Sequence, residues 1–124
     1  MEQYRWHKGM RLRHPQEFRR VWAGGRSWVH PLLVLWALPN DLSYSRIGLT
    51  ASRKVGNAVS RNRARRLLRE AARHVYPEIV AGWDLLLVAR SSLLRVTSPL
   101  VIEALRQTLQ RAGLVNSLPE GVNV

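Results

Sequence analysis

Between residues 46 and 73 the apolar positions switch from one spacing to another, and this switch constrains the fold more than any other feature of the chain. Ile47, Leu49 and Ala51 alternate with Arg46, Gly48, Thr50 and Ser52, the two-residue period of a half-buried strand. From Ala58 onward the spacing becomes helical. At about 100° per residue, Ala64, Leu67, Leu68, Ala71 and Val75 fall on one side of the helix. Arg61, Arg65, Arg66, Arg69 and Arg73 fall on the other, with Asn62 among them. A single apolar stripe needs a sheet or a second helix to cover it.

The basic face is the second constraint. Residues 46–73 hold nine of the twenty Lys and Arg residues and one acid, Glu70. Like charges four residues apart on a helix repel by about 0.2–0.5 kcal/mol per pair. A solvated helix ordinarily answers such a row with Glu, so an uncompensated row points to a polyanion lying against it. The whole chain agrees: the formal net charge is +12, and eighteen of the twenty basic residues are Arg. Arg carries a planar fork that pairs two phosphate oxygens and stacks on bases, which favours nucleic acid.

With 124 residues, 46% of them apolar, the chain predicts one domain with one modest core, not a disordered basic tail. No apolar run approaches membrane-spanning length and the N-terminus has no signal-peptide core, so no membrane partner is expected. The absence of Cys excludes disulfides, zinc–thiolate sites and thiol chemistry. A cytoplasmic location fits this composition.

Along the chain, residues 1–14 are basic and polar without a clear period and read as an extended or loosely ordered arm. Pro15 suits the first turn of a helix that Gly24-Gly25 ends, with Phe18, Val21 and Trp22 on one face. Residues 32–38 form a buried strand, and residues 45–52 the next. The Asn40-Asp41 turn between them predicts an antiparallel hairpin. Asn57 is placed to cap the Arg-rich helix, which ends near Tyr76-Pro77. Residues 84–90 read as a further strand. Ser98-Pro99 opens a last helix that Gly113 stops. Residues 15–113 then make one α+β domain, with 114–124 as a flexible tail.

The segment Ser52–Arg73, SRKVGNAVSRNRARRLLREAAR, preceded by RIGLT at 46–50, closely resembles the signature of the protein subunit of bacterial ribonuclease P. The Arg-Asn-Arg centre at 61–63 is unchanged. The likeness extends to Arg11-Leu12, to EFRRVWAGG with Phe18, Val21, Trp22 and Gly25, and to Asp84 and Arg90. It covers roughly residues 11–112. The resemblance implies a small α/β sandwich, about three helices on a four-stranded sheet, with a left-handed β-α-β crossover where general rules favour a right-handed one. It implies a protein that binds a catalytic RNA and the 5′ leader of precursor tRNA, while that RNA performs the metal-assisted hydrolysis. No cofactor is expected on the protein alone, magnesium entering through the RNA, and no small-molecule substrate is implied.

Carried over position by position, the resemblance assigns Arg61, Asn62, Arg63, Arg65, Arg66 and Arg69 to the catalytic RNA. It assigns Phe18, Trp22, Val34 and Trp36 to a leader cleft between the sheet face and the Arg-rich helix. Arg53 and Lys54 fall at its rim, and Arg90 toward substrate. Trp22 and Trp36 stand where smaller aromatics are frequent in the family, and Arg53 where Lys is frequent. Without the resemblance, Phe18 and Trp22 at i,i+4 are a core signature, Trp28 and Trp83 are packing, and Gly56 is a turn residue as readily as a point of close approach.

Three other functions meet specific objections. A protein-only nuclease needs converging imidazoles or clustered acids, yet His7, His14, His30 and His74 are scattered and the acids dispersed. A DNA-binding regulator needs a helix-turn-helix pair before the basic helix. A general structural RNA-binding protein of the ribosomal kind, without a role in tRNA processing, has the same composition but no reason to carry the Arg-Asn-Arg signature and the aromatic cleft that the resemblance implies.

Overall fold

A computed structural model of the chain describes Trp6 and residues 8–116. Three helices, α1 (Pro15–Gly24), α2 (Ala58–Val75) and α3 (Ser98–Ala112), accompany four strands, β1 (Arg26–Val29), β2 (Leu33–Pro39), β3 (Arg46–Thr50) and β4 (Trp83–Ala89). The sheet order is β1-β2-β4-β3. β4 runs antiparallel to β2 and parallel to β3. The mixed sheet with three helices is the architecture expected above.

The expected β2–β3 hairpin does not form, because β4 lies between the two strands. Leu85, Leu86 and Leu87 of β4 are all essentially buried, so the most apolar strand takes a central position with helices on both faces. The turn from Asn40 crosses the entry of β4 instead. Asn40 N donates to Gly82 O at 2.9 Å, and Asn40 Nδ2 donates to Asp84 Oδ1 at 2.9 Å. β1, unforeseen as a strand, pairs Arg26–Val29 with Val34–Ala37 at the sheet edge.

Alternation sorts the sheet into two faces. Leu33, Leu35, Ala37, Ile47, Leu85, Leu87 and Ala89 point toward α2 and α3 and form the main core with Ala64, Leu68, Ala71, Ala72, Val75, Val101, Leu105 and Leu109. Trp36, Leu38, Leu86 and Val88 point the other way, where Phe18 and Val21 of α1 and Leu12 pack with them, and Val34 lies on the same face by register. The predicted stripe of α2 is the one buried, with Leu67 at its half-buried margin and Ala72 added. Burying Leu68 and Val75 contributes about 1.5–3 kcal/mol each. The three Arg–Arg pairs cost about 1 kcal/mol together, so packing holds this helix despite its charge. Asn57 caps it as expected, its Oδ1 accepting from Ser60 N at 2.9 Å. α3 begins one residue earlier than expected, with Thr97 in the cap and no side-chain capping bond.

The ends of the domain differ from expectation. Residues 8–14 are not an extended arm: Lys8–Met10 forms a 3-10 turn, Arg11 bridges Ile47, Leu12 N donates to Ile47 O at 3.0 Å, and Leu12 is buried. Trp6 is buried too, its Nε1 donating to Met10 O at 2.8 Å. This packing covers the otherwise open edge of β3. At the other end Leu114 is buried and Val115 bridges Ile79, so the first residues of the expected tail belong to the fold. Residues 1–5, 7 and 117–124 lie outside the described residues.

Candidate nucleic-acid interface

The first surface is the sheet face under α1. Phe18 and Trp22 lie one turn apart with ring centroids 6.1 Å apart and planes at 79°, an edge-to-face pair. Phe18 packs on the sheet, while Trp22 remains 43% exposed. Register puts Ser27, Trp36, Leu86 and Gly48 in one row across this face, and Val29, Val34, Val88 and Thr50 in the next. Trp36, Val34 and Val88 are half-buried and Val29 is exposed. The four predicted residues Phe18, Trp22, Val34 and Trp36 therefore share one partly open aromatic face. Its wall is α1. The Arg-rich α2 packs on the opposite face of the sheet, which corrects the expected cleft between that helix and this face.

Gly48 makes the close seat of Phe18 possible. A Cβ there would lie 3.0 Å from both Phe18 Cζ and Leu12 Cβ, inside ordinary contact distance. Gly56 serves the turn: its φ is +147° and a Cβ would meet Ser60 Cβ at 2.9 Å.

α1 is held to the sheet by ion pairs around one buried carboxylate. Asp84 has no solvent exposure. It accepts from Arg46 Nε at 2.9 Å and Nη2 at 2.8 Å, from Arg20 Nη2 at 2.8 Å, and from Asn40 Nδ2. Burial pushes the Asp84 carboxyl up, but the hydrogen bonds from Arg46, Asn40 and Arg20 outweigh it and hold the carboxyl below its ordinary range. Arg46 also reaches Glu17 of α1 at 3.1 Å. Glu17 and Arg20 thus tether the helix on either side of Phe18. In the sequence Asp84 stands out only within the family likeness, and its local signal is a lone acid opening an apolar strand.

Cations gather at the end of the sheet where β3 and β4 both finish. Arg53 and Lys54 are exposed in the turn after β3. Arg90 follows β4, is exposed, and donates from Nη1 to His30 O at 3.3 Å. Arg61, in the first turn of α2, donates to Gly56 O at 3.2 Å. Asn62, Arg63, Arg66 and Arg69 are exposed and Arg65 half-buried, with Arg65 donating to Asn62 Oδ1. Farther along α2, Arg66, Arg69 and Arg73 meet Trp6 and Arg11 around a recess. Trp6 and Arg11 join this group from a segment with no sequence period, so no local signal marks where it docks.

Among the described residues no group of three or more His, Asp or Glu is placed to hold a metal ion. His30 Nδ1 accepts from Leu32 N, and His74 pairs with Glu70. The surface therefore offers apolar stacking on one side and phosphate-seeking guanidiniums at the margin and on α2, the two kinds of contact an RNA strand requires.

The chain is matched by the family model described as Ribonuclease P over residues 6–113. It is 42% identical over 115 residues to the ribonuclease P protein component of a Roseiflexus species, covering 92% of this chain and 94% of that one. It is 41% identical over 107 residues to the component from Herpetosiphon aurantiacus, covering 86% and 87%. Among solved structures, the RNase P protein of Staphylococcus aureus superposes with a TM-score of 0.78 at 28% identity, over 88% of this chain and all of that one. The protein from Thermotoga maritima gives 0.74 at 32% identity, over 82% and 96%.

Proposed function

This chain belongs to the ribonuclease P protein family, and from that premise we propose how its two surfaces divide the work. As the protein component it binds the ribonuclease P RNA and takes part in tRNA processing within a ribonucleoprotein endoribonuclease. In the proposal, the bond-breaking chemistry belongs to the RNA. Arg61, Asn62, Arg63, Arg65, Arg66 and Arg69 of α2 hold that RNA. The Phe18–Trp22–Val34–Trp36 face takes the 5′ leader of precursor tRNA, with Arg53, Lys54 and Arg90 on its phosphates.

The single observation behind this reading is the open aromatic face beside a cationic margin. A leader differs between precursors, and stacking at about 1–3 kcal/mol per base tolerates any sequence. The Arg fork pairs with phosphate whatever base it carries. The described acids form no cluster that would hold magnesium, and the proposal places that ion on the RNA. Among the described residues no helix is long and apolar enough to cross a membrane. The proposed compartment is the cytoplasm, where precursor tRNA is met.

The test compares precursor tRNA with leaderless tRNA. Phe18→Ala in the assembled holoenzyme should weaken binding of the leader-bearing substrate by about 5- to 150-fold, the equivalent of about 1–3 kcal/mol, and leave leaderless tRNA nearly unchanged. Equal losses on both substrates would remove the leader from this face.

A further inference from the structure

Arg11 is the most unusual cation in the structure. Its guanidinium carbon lies 5.0 Å from the centroid of the Trp6 ring, a cation–π contact. Its Nε is buried without a hydrogen-bond partner among the described residues. Burial first, then Arg69 and Arg13, push its pKa down, so its charge is held where it is unfavourable. Buried polar atoms in folded proteins are nearly always paired, so this one marks an uncompensated, strained corner of the structure.

The space beside it has a defined shape. A recess of about 220 Å³ is lined by Trp6, Arg11, Arg66, Arg69, Glu70 and Arg73. A smaller one of about 140 Å³ adjoins it, sharing Trp6, Arg11 and Arg69 and adding Arg13 and Arg65. Glu70, the acid in the lining, is already engaged by Arg73 and His74. Trp6 is only 6% exposed, so it offers no open ring face to a base. The arm thus brings Arg11 against a helix that is already overcharged, and an anion entering the recess relieves the repulsion.

We propose that this recess is a phosphate site, formed only when Trp6 docks the arm on α2, and that its ligand is a backbone phosphate of the ribonuclease P RNA. The proposal rests on the RNA-binding role given above and adds Arg11, Arg73 and the positioning residue Trp6 to it. A bound phosphodiester would accept from the guanidinium forks of Arg11, Arg66 and Arg69. Arm docking and RNA binding then reinforce each other, because each completes the site for the other.

The test uses the full chain and two readouts. Affinity for the ribonuclease P RNA is measured against salt concentration for wild type, Arg11→Gln, Trp6→Ala and Trp6→Phe. In a parallel arm, inorganic phosphate is titrated into free protein while the Arg11 Nε–H resonance is followed. The proposal expects Arg11→Gln and Trp6→Ala each to make the log–log salt slope shallower by about one phosphate, Trp6→Phe to keep it, and phosphate to shift the resonance. An unchanged slope in Arg11→Gln overturns the RNA assignment, even if phosphate moves the resonance, which would mark a small-anion site. Should Arg11→Gln fail to fold, Arg73→Gln on the exposed side of the recess replaces it with the same expectation. Failure of wild type itself to bind the RNA would strike the functional reading, which this experiment thereby separates from the recess.

Discussion

Replacing Asp84 with Asn takes one negative charge out of a position with no solvent exposure and leaves two guanidiniums facing a neutral amide. The two losses are unequal. Arg20 is half exposed, with 51% of its side chain accessible, so it turns to water and contributes about 0–1 kcal/mol. The Arg46 side chain is only 21% exposed and donates twice to Asp84. Removing one partner of a buried pair costs about 3–5 kcal/mol, and the remaining Glu17 contact keeps Arg46 toward the lower end of that range. A loss of about 3 kcal/mol follows, a large share of the roughly 5–15 kcal/mol typical of a folded domain.

The pH dependence has a fixed sign. The folded-state pKa of Asp84 is depressed, so its contribution is fully present above the unfolded value of about 3.9 and is lost as pH falls through the folded value. Urea unfolding of Asp84→Asn and wild type, at neutral pH and again in acid at constant ionic strength, measures the difference directly. The gap should be about 3 kcal/mol at neutral pH and should narrow as the medium is acidified below the ordinary Asp range. A gap under about 1 kcal/mol, or one that stays constant into acid, would mean that this carboxylate does not hold α1 on the sheet.

Gly48→Ala puts a methyl 3.0 Å from Phe18 Cζ and Leu12 Cβ; overpacking of this kind costs about 1–3 kcal/mol, read by thermal or urea unfolding, and it should displace Phe18 and weaken leader binding along with stability. Arg63→Ala, at an exposed position on α2, should leave the unfolding midpoint nearly unchanged and weaken assembly with the RNA. Affinity for that RNA should fall by about 10³–10⁵ between 50 and 200 mM salt if about six to ten phosphates are contacted on duplex-like RNA, less on single strands; a salt-independent affinity would contradict the electrostatic account.

Local signals read well where the cause was local. The α2 stripe, its Asn57 cap and the switch from strand to helix period depend on residues a few positions apart, and the structure repeats them. The sheet order did not, because the Asn40-Asp41 turn says only that the chain reverses. Which strand pairs with β2 is decided by the apolar run of β4, more than forty residues away. β1 escaped notice because Arg26–Val29 is short and mostly exposed, leaving no alternation to detect. The α1 face showed its aromatics in the sequence, yet nothing local distinguished a half-open face from core, or told that α2 would pack behind the sheet and not beside that face. Arg11 and Trp6 had no period at all; only the docked arm reveals that they meet Arg66, Arg69 and Arg73.

In the proposal this chain serves an RNA catalyst as its protein component. Cleavage of the 5′ leader from a precursor tRNA at low magnesium, with bacterial ribonuclease P RNA alone, with this protein alone and with both, tests it most directly. Cleavage that requires both is the predicted result. Cleavage by the protein alone, or no stimulation when the two are combined, would contradict it.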